Sequence, residues 1–520
     1  MVRSNAQGAS NEPAFQVIVL GASGGPLEDT VTGLLVRSTA TKWCHGSIVA
    51  VDAGTLMAGI RRTLECSASV EKKEGDFALE ITEGPFSGLM LPNKTTQSNA
   101  AYIFREMIGA VLITHPHLDH VAGLAMNTPA IEAQYGPKTV AALPSAVAAL
   151  KNHVFNDILW PNLSDEDGGA GLITYQRLVD GGNPRLGRGE GRGYVKVCEG
   201  LMTKCLSVSH GACNKRYNPE TGRHHRAESS VFTPEQFAIP AQRGSVDGRE
   251  SRRASQSLTS STNPIPLATV ESSAFFIRDE HSGAEIIVFG DVEPDSLSLE
   301  PRNSKVWEVA APKIAAGTLR AIFIECSFSD SVDDASLYGH LCPRHLIAEL
   351  VVLASNVVDC LKPRRGQGMR KRKRQVSTTG VEHMEPVSPK TSSKRVQQAH
   401  DSSKEEGDIG PSGERRLPHP RFACEEDTTQ ESLLASSIPN RQENPLGEEG
   451  DGSPGLSTDG SDLSSLPLAG FRVYIIHVKE SLCDEANPRD KILQELRAHS
   501  EQAGLGCEFY APQCGQWAFV

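Results

Sequence analysis

Four side chains able to ligate a metal fall within six residues at His115-Pro116-His117-Leu118-Asp119-His120. Neutral imidazole and carboxylate are the donors that zinc and similar divalent ions take. In extended backbone alternate side chains face one way, so His115 and His117 close on one ion. Asp119 and His120, past the turn, point toward a neighbouring position, and one hexapeptide thus offers ligands to two ions. A merely solvated His-rich loop is not expected directly behind the all-apolar run Ala110–Thr114. Two ions need more ligands than four. His210 closes CLSVSH, Asp291 closes EIIVFGD, and His477 lies in VYIIHVKE, each at the end of a strand-like run. Singly they read equally well as turn or core residues; with the hexapeptide they complete a set of seven.

These residues need a scaffold of buried strands. FQVIVLGASGG (Phe15–Gly25) is an apolar run ending in a glycine turn, and GSIVAVDAG closes on Asp52 and Gly54. Short, continuously apolar runs followed by polar loops mark strands covered on both faces. Helical patches separate such runs, which gives an α/β (α+β) class. Residues 15–360 form the first part of one core, interrupted by a polar loop insertion over 212–268. Residues 361–466 are poor in aromatics and rich in Lys, Ser, Glu and Gly, a composition that cannot offset ordering entropy, so a disordered insertion is expected there. A buried-type strand and a helix return in 467–520 and complete the core.

The 520 residues suffice for one large or two ordinary domains. A net charge of −12 argues against a general nucleic-acid binder, which needs a basic face. No run reaches the roughly 18–20 apolar residues of a membrane helix, and the N-terminus lacks a signal-peptide pattern. The 12 scattered cysteines therefore read as reduced thiols of a cytoplasmic protein. The basic run Met369–Arg374 offers nuclear access, though a solvated charge block is the plainer reading.

The HxHxDH loop, a later lone His, a strand-ending Asp and a final His resemble the metallo-β-lactamase-fold hydrolases. VLGASGGP, VDAGT, THPHLDHVAGL, FGDVEPD, FIECSF, LYGHLCPRHLIAEL and YIIHVKE narrow this to a resemblance to the fungal class II (low-affinity) 3′,5′-cyclic-nucleotide phosphodiesterases. That resemblance implies an αββα sandwich carrying two divalent ions, zinc by expectation. His115, His117 and His210 would hold one, Asp119, His120 and His477 the other, with Asp291 bridging and Asp52 orienting the loop histidines. Two such ions roughly 3.5–4 Å apart lower the pKa of a shared water from about 15.7 toward 7. The expected reaction is cAMP (or cGMP) hydrolysis to the 5′-monophosphate by metal-bridged hydroxide. His340 is the expected proton donor to the leaving 3′ oxygen, oriented by Glu325; Asp119 counts among the catalytic residues as well. His345, one turn on, is a lesser contender, and His224 and His225 are expected to be solvated. His153, Phe155 and Trp160 could flank a base pocket, with packing the plainer role. The substrate is a small cyclic nucleotide, with no nucleic-acid or membrane partner; a homodimer and kinase regulation through the insertions are allowed. The alternatives are an RNA-processing endonuclease on the same fold and a non-catalytic scaffold.

Overall fold

The computed structural model describes residues 12–66, 70–72, 79–227, 267–362, 466–483 and 487–520. The chain begins with β1 (Phe15–Gly21), β2 (Gly33–Ser38), β3 (Ile48–Val51) and α1 (Met57–Cys66). A small sheet follows, of β4 (Val70–Lys72), β5 (Leu79–Ile81) and β6 (Met90–Leu91). Then come α2 (Thr96–Tyr102), β7 (Ile108–Leu112), α3 (Leu118–Asn127), β8 (Lys138–Ala142), α4 (Pro144–Ala149) and β9 (Ile173–Arg177). The second half opens with β10 (Val195–Cys198), β11 (Leu201–Cys213), β12 (Lys215–Asn218), β13 (Arg223–Arg226), β14 (Ala268–Asp279) and β15 (Glu285–Phe289). It closes with α5 (Asn303–Ala315), β16 (Leu319–Glu325), α6 (Pro343–Leu361), β17 (Arg472–Ile476), α7 (Pro488–Ala503), β18 (Glu508–Tyr510) and β19 (Trp517–Phe519).

Two seven-stranded sheets result, ordered β19-β1-β2-β3-β7-β8-β9 and β10-β11-β14-β15-β16-β17-β18. Strand alternation explains how they stack. Ile286 and Val288 of β15 enter the core between the sheets, while Ile287 and Phe289 face Trp307 of α5 and Leu350 of α6. In β7, Ala110 and Leu112 point between the sheets and Val111 points toward Ile60 of α1 and Leu124 of α3. Both faces of each sheet are therefore covered, as continuous apolar strands require. The architecture is the αββα sandwich. Helix ends follow local chemistry: Pro343 opens α6 at a position where its missing N–H costs nothing. Asn487 caps α7, which ends on Gly504 in the left-handed region.

β16 and β17 are parallel neighbours, Ala321 opposite Arg472 and Glu325 opposite Ile476, although more than a hundred residues separate them in sequence. Apart from Leu361, Lys362 and Leu466, the expected disordered insertion lies outside the described residues. The other expected insertion is partly regular: β11 runs on to Cys213, and β12 and β13 form an antiparallel hairpin. Its polar alternation hid a strand pair that needs only one covered face. The last strand, β19, pairs with β1 (Gln16 opposite Phe519), closing the first sheet with three residues too few to announce a strand.

β3 runs parallel to β7, and β15, β16 and β17 run parallel to one another. Their carboxyl ends thus gather at one edge of the sandwich, where α/β sheets place ligands. β11 runs in the sense of β15, through the antiparallel β14 between them, and ends at the same edge.

Candidate metal centre

β7 stops at Leu112, and the chain turns through His115 and His117 into α3, whose first turn carries Asp119 and His120. Asp119 and His120 therefore stand on a helix, where adjacent positions diverge enough for both to face the cage. Asp291 follows β15 by two residues, and His477 follows β17 directly. His210 differs from expectation: it lies inside β11, not at its end. A bulge between Ser209 and Ala212, with Gly211 at φ +66°, turns it toward the site.

Asp291 is the hub. One of its oxygens lies 3.2 Å from His477 Nε2, 3.6 Å from His210 Nε2 and 3.7 Å from His115 Nε2. Its other oxygen is 3.2 Å from His120 Nε2. Asp119 is 3.7 Å from His477 Nε2 and 3.9 Å from His120 Nε2. Two four-residue groups made of the expected ligands thus share Asp291, with His115, His117 and His210 on one side and Asp119, His120 and His477 on the other; a third group, His210, Glu325 and His340, shares it as well. Within each group the donor atoms lie within 4.8 Å of one another. All seven expected ligands come together.

The donors fit a pair of divalent cations. His115 Nε2, His120 Nε2 and Asp291 Oδ1 are buried without a hydrogen-bond partner, a costly condition that a cation relieves. Their opposite nitrogens are occupied. His120 Nδ1 is 2.8 Å from Asp52, His477 Nδ1 is 2.6 Å from Thr32 Oγ1, and His210 Nδ1 is 2.8 Å from the Gly339 carbonyl. His115 Nδ1 lies 3.1 Å from Thr114 Oγ1. Such outer contacts fix the ring orientation and leave Nε2 for the metal. Asp52 orients one loop histidine directly and also accepts from the Thr114 amide and hydroxyl, so it ties β3 to the loop after β7. Thr32 carries no motif signal, and Gly339 belongs to the LYGH motif without any sign of this contact; only the folded chain brings them here.

Backbone conformation completes the cage. Asp52 and His477 both adopt positive φ, at 55° and 57°, a strain of about 1–3 kcal/mol each that surrounding contacts must hold. Close approach explains two glycines: a Cβ on Gly24 would meet His477 Nε2 at 2.7 Å, and one on Gly339 would meet Gly211 Cα at 2.6 Å.

Burial pushes His210 down to about 4, and lowers His115, His117 and His477 as well. Burial would also raise Asp291, but His477 and His120 hold it well below the usual carboxylate range. Burial opposes charge on His120, yet Asp291 and Asp52 outweigh it and raise its pKa well above the ordinary histidine value. Metal ligation requires neutral imidazole, so a cation entering beside His120 displaces its proton.

Glu325, the last residue of β16, accepts from the Val292 amide at 2.7 Å and lies 3.0 Å from His340 Nδ1. Ser327 Oγ lies 2.5 Å from Glu325 and 2.9 Å from the His477 carbonyl, which joins this pair to the cage. Burial lowers the His340 pKa, but the Glu325 carboxylate more than compensates and raises it. His340 sits in the turn before α6, not on the helix, with its ring 4.8 Å from that of His210. His345 points elsewhere: its Nε2 bonds Asp334 at 2.8 Å, away from the cage, because it belongs to the first turn of α6.

A cavity of about 310 Å³ opens beside His117. His153 and His224 line it, so His224 is no solvated bystander; the β12–β13 hairpin carries it there. His225 stays exposed. Phe155 is buried in the core, and Trp160 donates to Thr128 Oγ1. Among the described residues, no helix is long and apolar enough to cross a membrane.

Comparison with known proteins agrees with this geometry. A family model for the class-II cAMP phosphodiesterases matches residues 15–186, 199–370 and 458–515. A 3′,5′-cyclic-nucleotide phosphodiesterase of Schizosaccharomyces pombe is 28% identical over 346 residues, covering 66% of this chain and 77% of that protein. A 3′,5′-cyclic-nucleotide phosphodiesterase 1 of Saccharomyces cerevisiae is 26% identical over 366 residues, covering 65% and 82%. The crystal structure of unliganded yeast PDE1 shares the fold, with a TM-score of 0.56 at 20% identity, across 98% of this chain and 100% of that one. The chain belongs to the class-II cAMP phosphodiesterases.

Proposed function

We propose that this enzyme hydrolyses 3′,5′-cyclic nucleotides, cAMP first among them, to 5′-monophosphates on two zinc ions. The observation that carries the reading is Asp291, whose carboxylate lies within 3.7 Å of four histidines drawn from both ligand groups. His115, His117 and His210 would hold one ion and Asp119, His120 and His477 the other, with Asp291 between them. Bound by these residues, the ions would supply an ionised water near neutral pH and charge to offset the phosphodiester.

The chain's own residues do the rest. His117, the most open of the ligands, faces the cavity from which substrate arrives. Asp119 is half-buried, so its carboxylate orients the attacking water. His340, kept protonated by Glu325, gives a proton to the 3′ oxygen as it leaves; an alkoxide departs poorly without one. Ser327 and the Val292 amide hold Glu325 in place for that task.

Residues 361–466 form, on this reading, an insertion within one catalytic domain. On the same reading the enzyme works in the cytoplasm, nucleic acid is not a partner, and kinase regulation through the polar insertions and a homodimer are compatible with it. The test is cAMP hydrolysis by purified protein with and without chelator, beside precursor tRNA. Chelator-sensitive conversion of cAMP to 5′-AMP is expected. Cleavage of the RNA without cAMP turnover would replace this reading with the endonuclease.

A further inference from the structure

Apart from Pro116 and His117 of the ligand loop, the cavity is walled by parts of the chain that bring none of the expected metal ligands. α4 and the turn after it contribute Ala146, Ala149 and His153, and the β12–β13 hairpin contributes Tyr217 and His224. The start of β14 adds Val270 and Glu271. Its volume, about 310 Å³, lies at the lower end of the roughly 300–1,000 Å³ usual for small-ligand sites.

Besides His117, three of its lining residues carry aromatic rings. The His153 and His224 rings are 6.4 Å apart and tilted by 51°, and Tyr217 lies 5.4 Å beyond His224 at the same tilt. The hairpin that carries two of them leans on α4, and Asn152, in the turn after that helix, donates through Nδ2 to the Gly222 carbonyl. Burial lowers the His224 pKa, with His153 adding to the effect, so that ring is neutral and suited to stacking. Charge decides which part of a nucleotide enters. Glu271 is held by Arg302 at 3.1 Å and by the Ser145 hydroxyl, so this pairing offers a phosphate no free cation, and among the described residues the lining's one cation, Lys215, is exposed. A neutral aromatic base is the part that fits.

Building on the proposed hydrolysis of cyclic nucleotides, we propose that the β12–β13 hairpin is the base-recognition element, with Tyr217 and His224 stacking the purine while its phosphate lies at the cage. A base gains much of its hold from each aromatic ring it stacks on, so loss of one ring should cost about tenfold.

The test compares kcat/KM for cAMP with kcat/KM for methyl p-nitrophenyl phosphate, a diester without a base. Tyr217→Ala and His224→Ala should each lower that ratio about tenfold. Tyr217→Phe, which keeps the ring, should restore it. Zinc content reports on folding of each variant. Wild-type enzyme that cleaves cAMP while both alanine variants keep the ratio overturns this inference alone. Wild-type enzyme that cleaves the small diester but no cyclic nucleotide overturns the proposed function and this inference together.

Discussion

His117 borders two regions built in different ways. On one side is the cage, where His115, His120, His210, Asp291 and His477 are buried and four of the histidines are held from behind by a second partner. On the other side is the cavity, two of whose three rings besides His117 come from a hairpin of exposed and half-exposed residues. The cage is rigid because unpaired buried charge is expensive and every donor must be matched. Among the described side chains of the cavity wall only His224 Nδ1 is buried without a hydrogen-bond partner, so most of that wall can change at small cost. On the proposed reading, chemistry and selectivity rest on separate pieces of the chain. Substitutions in the first should remove the reaction, and substitutions in the second should only redirect it.

The largest effect is expected at the hub. Asp291→Ala removes a donor from both ligand groups, so metal content should collapse and turnover should fall to that of chelated enzyme; elemental analysis and a cAMP assay would read both. Next is the donor pair. His340→Ala should retain metal and lower kcat for cAMP by about 10²–10⁴-fold. It should spare methyl p-nitrophenyl phosphate, whose leaving group needs no proton. Equal loss on both substrates would move His340 from proton donor to cage support. Removal of an outer contact should cost less. Asp52→Ala or Thr32→Val should weaken metal affinity about 10–100-fold, seen by competition with a chromophoric chelator.

Much of the cage was legible before folding because its information is local. Four donors crowd into one hexapeptide, and Asp291 and His477 each follow a run of buried residues whose end had to reach the same sheet edge. His210 was harder, since only a bulge at Gly211 turns a mid-strand side chain inward. The donor pair was read from FIECSF and LYGH, but His345, which shares that stretch, belongs to Asp334. The cavity was scarcely legible. Tyr217 and His224 sit in a polar stretch that resembles a loop, and Thr32, Ser327 and Glu271 are ordinary residues until three-dimensional neighbours give them a task. Short strands such as Trp517–Phe519 are lost for the same reason: the partner, not the segment, makes them strands.

The smallest expected effect gives the contrast its control. His345→Ala breaks a contact with exposed Asp334 and should leave turnover unchanged, with stability altered by no more than about 1 kcal/mol in a denaturant melt.

The central claim is that seven side chains hold two cations across Asp291. Anomalous diffraction from zinc-loaded crystals tests it most directly. The account predicts two peaks about 3.5–4 Å apart flanking the Asp291 carboxylate, one beside His115, His117 and His210, the other beside Asp119, His120 and His477. A single peak, or density away from Asp291, would contradict it.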